Sequence, residues 1–272
     1  MIQRHGNTVE HAVDRTQLLT LLEQVRGGRV APAEAAARIG ELPYAEVAHA
    51  VGASLFDHHR ELRTGIPEII YGASKTADQI AAALCELAGK DGSRGALATR
   101  VSADKALQIT KLVPDAVVHE LAHIVTFGAV PSRPPAAKIA VVCAGTSDLP
   151  VAEEAALVAE FLGAQVVRIS DVGVAGIHRL LARLDEIRSA QVIVAVAGME
   201  AALPSVLGGL VDRALIAVPT SVGYGVSVDG LVALGSLLAG CSPGISIVNI
   251  DNGVGAAVAA VRIARLAYRS TP

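Results

Sequence analysis

Tryptophan is absent from the 272-residue chain, and aromatic residues make up only 3% of it. Hydrophobic residues still account for 52%, so the core must consist mainly of alanine, valine, leucine and isoleucine, which suits close packing of helices on a sheet. No apolar stretch reaches the ~20 residues needed to cross a membrane, because charges such as Asp229 or turn residues interrupt each one. The segment MIQRHGNTVEHAVDR lacks the apolar centre of a secretory signal. We therefore expect a cytoplasmic protein without a membrane partner.

Cysteine is scarce, and neither sign of charge dominates. The three cysteines, Cys85, Cys143 and Cys241, form no even disulfide framework and no CxxC pair, which is typical of a reducing compartment and gives no sign of structural zinc. Cys85, on the apolar face of a predicted helix, and Cys143, in a predicted strand, should pack in the core, and the usual behaviour of free cysteine gives Cys241 the same role. The 23 basic and 26 acidic residues leave a net charge of −3, so we expect no nucleic-acid partner.

The chain from Lys138 onward alternates short Val/Ile runs with helical patterns. The runs predict strands at 138–144, 164–169, 190–198, 214–219 and 244–250, with helices at about 150–162, 176–187, 200–211, 231–239 and 255–269. Parallel neighbours need crossover helices, and strands buried on both faces lack polar alternation. We therefore expect residues 139–272 to form a flavodoxin-like or Rossmann-like α/β domain, a parallel sheet between two helical layers.

The preceding segment PSRPPAAK, residues 131–138, holds three prolines. Proline disfavours helix, so we predict a linker and a domain boundary there. Residues 1–130 predict a smaller, less regular α/β domain. Its expected helices lie at 16–25, 32–40, 75–88 and from Ser102, and its expected strands at 67–72, 96–101 and 115–120.

Ligands of open parallel sheets bind at the carboxyl ends of the strands, and here the predicted loops at those ends are polar and rich in glycine. The Gly145–Ser147 turn offers backbone N–H groups and hydroxyls to a phosphate, or else Ser147 and Asp148 merely cap the next helix. Glu200 is either a helix start stabilised by the dipole or, if desolvated, a general base. Together the loops predict a site for a nucleotide-sized ligand. They contribute Gly145, Thr146, Ser147, Asp148, Asp171, Gly173, His178, Arg179, Gly198, Met199, Glu200, Pro219, Thr220, Ser221, Tyr224, Asn249 and Asp251.

These loops resemble the LarB family, the carboxylase/hydrolases of nickel-pincer nucleotide biosynthesis, whose large domain is similar to the PurE family of aminoimidazole ribonucleotide carboxylases and mutases. The matching segments are AGTSDLPVAEEA, DVGVAGIHR, AGMEAALPSVLGGLVD, VPTSVGYG and SIVNIDNG, with FDHHRELRTGIPEIIYGASKT in the N-terminal half. The sequence GIHR stands where PurE proteins have serine-alanine-histidine-arginine, and the N-terminal domain is extra. Both features favour LarB over the purine enzymes.

The resemblance implies a reaction on nicotinic acid adenine dinucleotide. The pyridinium ring is carboxylated with CO2 or bicarbonate as co-substrate and the phosphoanhydride is hydrolysed, which gives AMP and pyridinium-3,5-biscarboxylic acid mononucleotide. By resemblance Cys241 is the nucleophile of a transient cysteinyl-pyridine adduct, Glu200 the base and Asp148 a second candidate for proton handling, while the other loop residues bind substrate. No tightly bound cofactor is implied, although Mg2+ bound mainly by phosphates is compatible with the sequence. The alternatives are a PurE-type carboxylase or mutase of a purine intermediate and a non-catalytic nucleotide-binding regulator.

Cys241 follows a predicted helix and precedes the fifth predicted strand. It should therefore lie at the amino end of that strand, opposite the ligand-binding edge. The resemblance to PurE-like proteins implies a homo-oligomer, an octamer, with composite sites. We accordingly expect Cys241 of one subunit to enter the cleft of another.

Overall fold

The computed structural model describes residues 15–40, 44–49, 52–57, 60–89, 92, 95–129 and 136–269. The described residues group into two compact units. Those within 15–98, 104–117 and 126–129 form the first unit, and those within 99–103, 118–125 and 136–269 form the second. Of the predicted linker, residues 131–135 lie outside the described residues, while residues 136–138 belong to the first strand of the second unit.

The N-terminal part of the chain combines helices with short strands. A β1–β2 hairpin is antiparallel, and the remaining strands form a four-stranded sheet in the order β3-β4-β6-β5. The sequence pattern did not predict the hairpin, α3 or β6. The elements are α1 (Arg15–Arg26), α2 (Pro32–Gly40), β1 (Tyr44–His49), β2 (Gly52–Asp57), α3 (Arg60–Thr64), β3 (Ile70–Tyr71), α4 (Ala77–Ala88), β4 (Ala96–Thr99), α5 (Ala103–Leu112), β5 (Val117–His119) and β6 (Ile124–Phe127).

The prediction that Cys85 packs in the core is wrong. The buried face of α4 is centred on Ile80 and Leu84, which are both 0% exposed. Cys85 is displaced by about 100° around the helix from Leu84, and this places it beyond the edge of that face, where it is exposed.

The second unit has the predicted three-layer architecture. Its five parallel strands are arranged in the order β11-β10-β9-β7-β8, so the first strand in the chain lies between the second and the third, as in flavodoxin-like sheets. The predicted fold class is confirmed. The elements are β7 (Ala136–Cys143), α6 (Leu149–Phe161), β8 (Ala164–Ile169), α7 (Ile177–Ala182), α8 (Leu184–Arg188), β9 (Val192–Ala197), α9 (Ala202–Gly208), β10 (Ala214–Pro219), α10 (Leu231–Leu238), β11 (Ile245–Ile247) and α11 (Gly253–Arg269).

The sheet is covered on both faces, which explains the uninterrupted apolar sequences of its inner strands β9 and β10. Every residue of β9 is buried. The predicted bounds of 164–169 and 214–219 agree with β8 and β10, but the predicted helix 176–187 is divided into α7 and α8. No helix among the described residues is long and apolar enough to cross a membrane.

Small residues allow α11 to pack closely against α6 and β7. The side of α11 that faces inward carries four alanines, each 0% exposed, namely Ala256, Ala257, Ala260 and Ala264. A larger side chain at such a position forces neighbouring atoms apart, because protein interiors are close-packed.

We predict that Ala260→Leu lowers the free energy of unfolding by about 1–3 kcal/mol through overpacking. The matched control is Ala182→Leu, at an exposed helical position, which should change stability by less than about 0.5 kcal/mol. Urea denaturation monitored by circular dichroism measures both. Equal stability of the two variants would show that α11 is loosely packed.

Candidate active site

A buried carboxylate joins three of the loops at the carboxyl edge of the sheet. Asp148 ends a short 3-10 turn after β7 and is 4% exposed. Its Oδ2 accepts the N–H of Gly145 at 2.9 Å, and its Oδ1 accepts the hydroxyl of Thr220 at 2.6 Å. The backbone N–H of Gly198 is a further donor to it. Loops that follow β7, β9 and β10 are thus tied to one side chain.

This geometry partly decides whether the loop after β7 binds a phosphate or only caps the next helix. Asp148 does not cap α6, since its carboxylate turns back to Gly145 instead of reaching the first turn of the helix. The Gly145 N–H is already used by Asp148, so it is not free for a phosphate. Thr146 and Ser147 remain exposed beside it.

The environment of Asp148 disfavours its charged form. Burial raises the pKa of the Asp148 carboxyl, and the hydrogen bonds from Thr220, Gly145 and Gly198 oppose part of that rise, while the nearby Asp251 adds to it. A carboxyl group of this kind at a ligand-binding edge is suited to holding or moving a proton.

Glu200 lies in a tight turn after β9. Its neighbours Met199 and Ala201 both adopt left-handed backbone conformations, with φ values of 55° and 50°. The turn is closed by hydrogen bonds from Ala201 N to Gly198 O and from Met199 N to Val222 O, each 2.8 Å long. A Cβ atom at Gly198 would approach Thr220 Oγ1 to 2.6 Å, so this position requires glycine.

The prediction that Glu200 starts a helix is wrong, because α9 begins at Ala202 and the two left-handed residues interrupt the helical geometry before it. The Glu200 side chain is exposed. The chain alone therefore does not provide the desolvation that the general-base interpretation requires.

The loop after β8 carries an ion pair. Arg179 Nη1 lies 2.5 Å from Asp171 Oδ2, and Asp171 has a φ of 58°. Gly173 N donates to Ala144 O at 2.9 Å, which joins this loop to the end of β7. His178 is exposed in α7.

The loops after β10 and β11 are connected through Asp251. Its N–H donates to Pro219 O at 2.8 Å, and its Oδ1 accepts the N–H of Ser221 at 2.8 Å. Asn249 is exposed on the same loop, and Tyr224 is 80% exposed on the other. The tyrosine ring is therefore available to a ligand or to another chain.

Three residues of this region were missed by the sequence analysis, namely Thr99, Arg100 and Glu154. Arg100 Nε lies 3.0 Å from Glu154 Oε1, and Arg100 Nη2 donates to the backbone carbonyl of Asp251. Thr99 Oγ1 donates to the same Glu154 oxygen. Glu154 lies in the family-matching segment AGTSDLPVAEEA, but its contact with Thr99 could not be predicted from the sequence, because the two residues are 55 positions apart.

The cysteines differ in accessibility. Cys143 is 1% exposed in β7, as predicted, and burial raises the pKa of its thiol to about 12, so this thiol is inert at neutral pH. Cys241 is exposed and lies between α10 and β11, at the amino end of β11. A Cβ atom at Gly208 would collide with Ser242 Oγ, so this glycine lets α9 approach the segment that carries Cys241.

Among the predicted site residues, the structure brings together Gly145, Asp148, Gly198 and Thr220 in one cluster, and Pro219, Ser221 and Asp251 in another. It does not place Cys241 with them, because Cys241 lies at the amino end of β11 whereas these residues lie at the carboxyl ends of the strands. Within the described part of the chain, no group of three or more histidine, cysteine, aspartate or glutamate residues is arranged to hold a metal ion.

Comparison with known proteins identifies both halves of the chain. Residues 138–271 match the AIR carboxylase family model, and residues 48–129 match the LarB/PurE-like N-terminal domain. The second unit with its loops is therefore a carboxylase-related domain of the AIR carboxylase superfamily. Because the two domains occur together, the chain belongs to the LarB family.

Two relatives come from Methanocaldococcus jannaschii. One, named only as an uncharacterized protein, is 38% identical over 229 residues, which cover 78% of this chain and 84% of the relative. The other is an N5-carboxyaminoimidazole ribonucleotide mutase, 35% identical over 133 residues, which cover 47% of this chain and 79% of the mutase. The first similarity extends over most of both proteins, whereas the second involves about half of this chain.

We predict that Thr220→Val destabilises the protein by about 1–3 kcal/mol at neutral pH, because Asp148 Oδ1 then stays buried without its hydroxyl donor. The hydrogen bond from Thr220 stabilises the charged form of Asp148, so its removal should raise the pKa of Asp148 further. The destabilisation is complete at pH values above the Asp148 pKa of both folded proteins. It declines as the pH falls towards the ordinary aspartate value of 3.8, where the protonated form predominates in both folded proteins.

Urea denaturation of both proteins across this pH range measures the effect. Thr146→Val, at an exposed position of the β7 loop, is the matched control. A destabilisation by Thr220→Val that is independent of pH would contradict the assigned hydrogen bond.

Proposed function

We propose that this chain carboxylates the pyridinium ring of nicotinic acid adenine dinucleotide and hydrolyses its phosphoanhydride, releasing AMP and pyridinium-3,5-biscarboxylic acid mononucleotide. The observation that carries the proposal is an exposed thiol, Cys241, in a chain of the LarB family. A pyridinium carbon is electron-poor and does not attack CO2. The reaction therefore needs a nucleophile that first makes the ring electron-rich.

The thiolate of Cys241 would add to a ring carbon and convert the pyridinium to a dihydropyridine. The enamine carbon of this adduct attacks CO2 and forms the new carbon–carbon bond. A base removes the proton from that carbon, and the electron pair restores the aromatic ring as the thiolate leaves. Water then cleaves the phosphoanhydride. The balance is one CO2 and one water consumed, with the ring proton released.

Glu200 is the proposed base, and Asp148 is the second group for proton handling. Glu200 is exposed, so substrate or another chain must supply the desolvation. Asp148 is already buried, and this burial raises the pKa of its carboxyl group, which suits it to hold a proton that a substrate can take up. The exposed hydroxyls of Thr146 and Ser147 are the proposed donors to a phosphate of the substrate. Any Mg2+ would be bound mainly by the phosphates of the substrate.

One copy of the chain does not bring Cys241 to Glu200. Ile193 in β9 is aligned through Leu215 with Ile245 in β11, and Cys241 precedes Ile245. The stretch from Ile193 to Ala197, before the Glu200 turn, alone spans roughly 13 Å. A nucleophile and a base that act on one ring must each lie within about 3 Å of it. We therefore propose that Cys241 acts in the site of another subunit of a homo-oligomer.

A second candidate function is a PurE-type mutase or carboxylase of a purine ribonucleotide. It is favoured by the similarity to the N5-carboxyaminoimidazole ribonucleotide mutase. This reaction requires no thiol, so Cys241 would be dispensable. A non-catalytic nucleotide-binding regulator would bind ligand at the same loops without turnover.

The first test is incubation of the purified protein with nicotinic acid adenine dinucleotide and labelled bicarbonate, with detection of AMP and the doubly carboxylated mononucleotide by mass spectrometry. We expect both products from the wild type, none from Cys241→Ala, and a loss of about 10²-fold with Glu200→Gln. Cys85→Ala is the matched control, since Cys85 is exposed as well. Wild-type turnover by Cys241→Ala would exclude the covalent mechanism, and binding without products would favour the regulator.

The second test addresses the shared site. The inactive Cys241→Ala protein and the weakly active Glu200→Ala protein are mixed under conditions that exchange subunits, with the exchange verified by native mass spectrometry of isotope-labelled chains. Sites that combine the intact Glu200 of one chain with the intact Cys241 of the other should regain activity. Absence of recovery despite complete exchange would contradict the proposal that Cys241 and Glu200 act in a site shared between subunits.

A further inference from the structure

A buried carboxylate and an arginine outside the predicted site lie next to its loops. Glu154 is in α6 and is 3% exposed. Its Oε1 is bound by Thr99 Oγ1 and by Arg100 Nε, whereas its Oε2 has no hydrogen-bond partner in the described structure. These residues and the β11 loop all belong to the second compact unit.

The burial of the Glu154 carboxylate and the backbone conformation of Arg100 both cost free energy unless other interactions compensate for them. A buried carboxylate with one unpaired oxygen is costly, and Arg100 has a left-handed backbone with a φ of 57°, which is strained for a residue with a long side chain. Gly253 is packed so tightly here that a Cβ atom would lie 2.8 Å from Glu154 Oε2. Glu154 is therefore held firmly, and it fixes the guanidinium of Arg100.

The other side of the Arg100 guanidinium contacts the β11 loop of the candidate active site. Arg100 Nη2 donates to the carbonyl of Asp251, whose own φ is 57°. The carboxylate of Asp251 accepts the N–H of Ser221 at 2.8 Å. Ser221 adjoins Thr220, the hydroxyl donor of Asp148. An unbroken series of contacts thus leads from Glu154 through Arg100 and Asp251 to Asp148.

We propose that Arg100 is a positioning residue of the candidate active site, and that its guanidinium bridges Glu154 and the Asp251 carbonyl to hold the β11 and β10 loops in place. The planar fork of arginine serves two acceptors at fixed angles, which the single ammonium of lysine does not. An ion pair that merely stabilises the fold would need only the charge. The catalytic part of this inference rests on the proposed function, whereas the structural part is independent of it.

Hydrogen exchange tests the structural part without any substrate. In Arg100→Lys, the amides of Asp251 and Ser221 should exchange about tenfold faster or more, because the loops open more often. Arg100→Gly should behave in the same way, and its backbone accepts the left-handed conformation without strain. The matched control is Arg168→Lys, since Arg168 pairs with Glu153 and Glu160 of the same helix α6 and should leave both amides protected.

A double-mutant cycle tests the catalytic part in the nicotinic acid adenine dinucleotide assay. Arg100→Lys and Asp251→Gly are each expected to lower kcat/KM about tenfold, and the double variant no further, because the link from Arg100 to the β10 loop passes through the Asp251 carboxylate that binds Ser221. Arg168→Lys should retain wild-type activity. Independent, additive losses of about a hundredfold in the double variant would overturn the positioning role.

The two measurements separate failure of this inference from failure of the proposed function. Unchanged exchange in both Arg100 variants overturns the inference whatever the activity. Faster exchange in Arg100→Gly with full protection in Arg100→Lys also overturns it, since charge alone would then suffice. If the wild type turns over no dinucleotide, the proposed function fails, and the exchange of Asp251 and Ser221 alone decides whether Arg100 holds the loops.

Discussion

The shape of the ligand-binding edge depends on the buried carboxylate of Asp148. Withdrawal of a carboxylate from water is costly unless donors replace the water, and here Gly145, Gly198 and Thr220 supply them from three different loops. The loops after β9 and β10 are therefore constrained by hydrogen bonds to a carboxylate that belongs to the loop after β7. The close approach also explains a residue type, since Gly198 faces Thr220 so closely that no side chain fits between them.

The sequence predicted this architecture because the constraint on parallel strands is local and repeated. The inner strands must be apolar on both faces and each crossover must be helical, so β9 and β10 could be recognised from their apolar runs. The left-handed residues Met199 and Ala201 obey no such pattern. Neither is glycine or asparagine. The N–H of Met199 donates to Val222 O of the neighbouring loop, and that of Ala201 donates to Gly198 O within the turn.

The candidate site was predictable at the level of loops and less so at the level of atoms. Strand ends identify which residues face a ligand, and Asp148 and Asp251 were found in this way. What a carboxylate binds is decided by residues distant in the chain, as Thr220 is for Asp148 and Glu154 is for Arg100. Cys85 illustrates the same limit, because a helical face defined by spacing does not reveal where its packed surface ends.

The charge distribution of the loops is relevant to the proposal that the candidate site is shared between subunits. Arg179 already faces Asp171, and Arg100 already faces Glu154, while the Gly145 N–H is bound by Asp148. The positive groups that an anionic ligand would seek are thus partly neutralised within the chain. Parallel topology also puts Cys241 at the opposite end of the sheet, so the proposed mechanism requires the thiol to reach the ligand from another subunit.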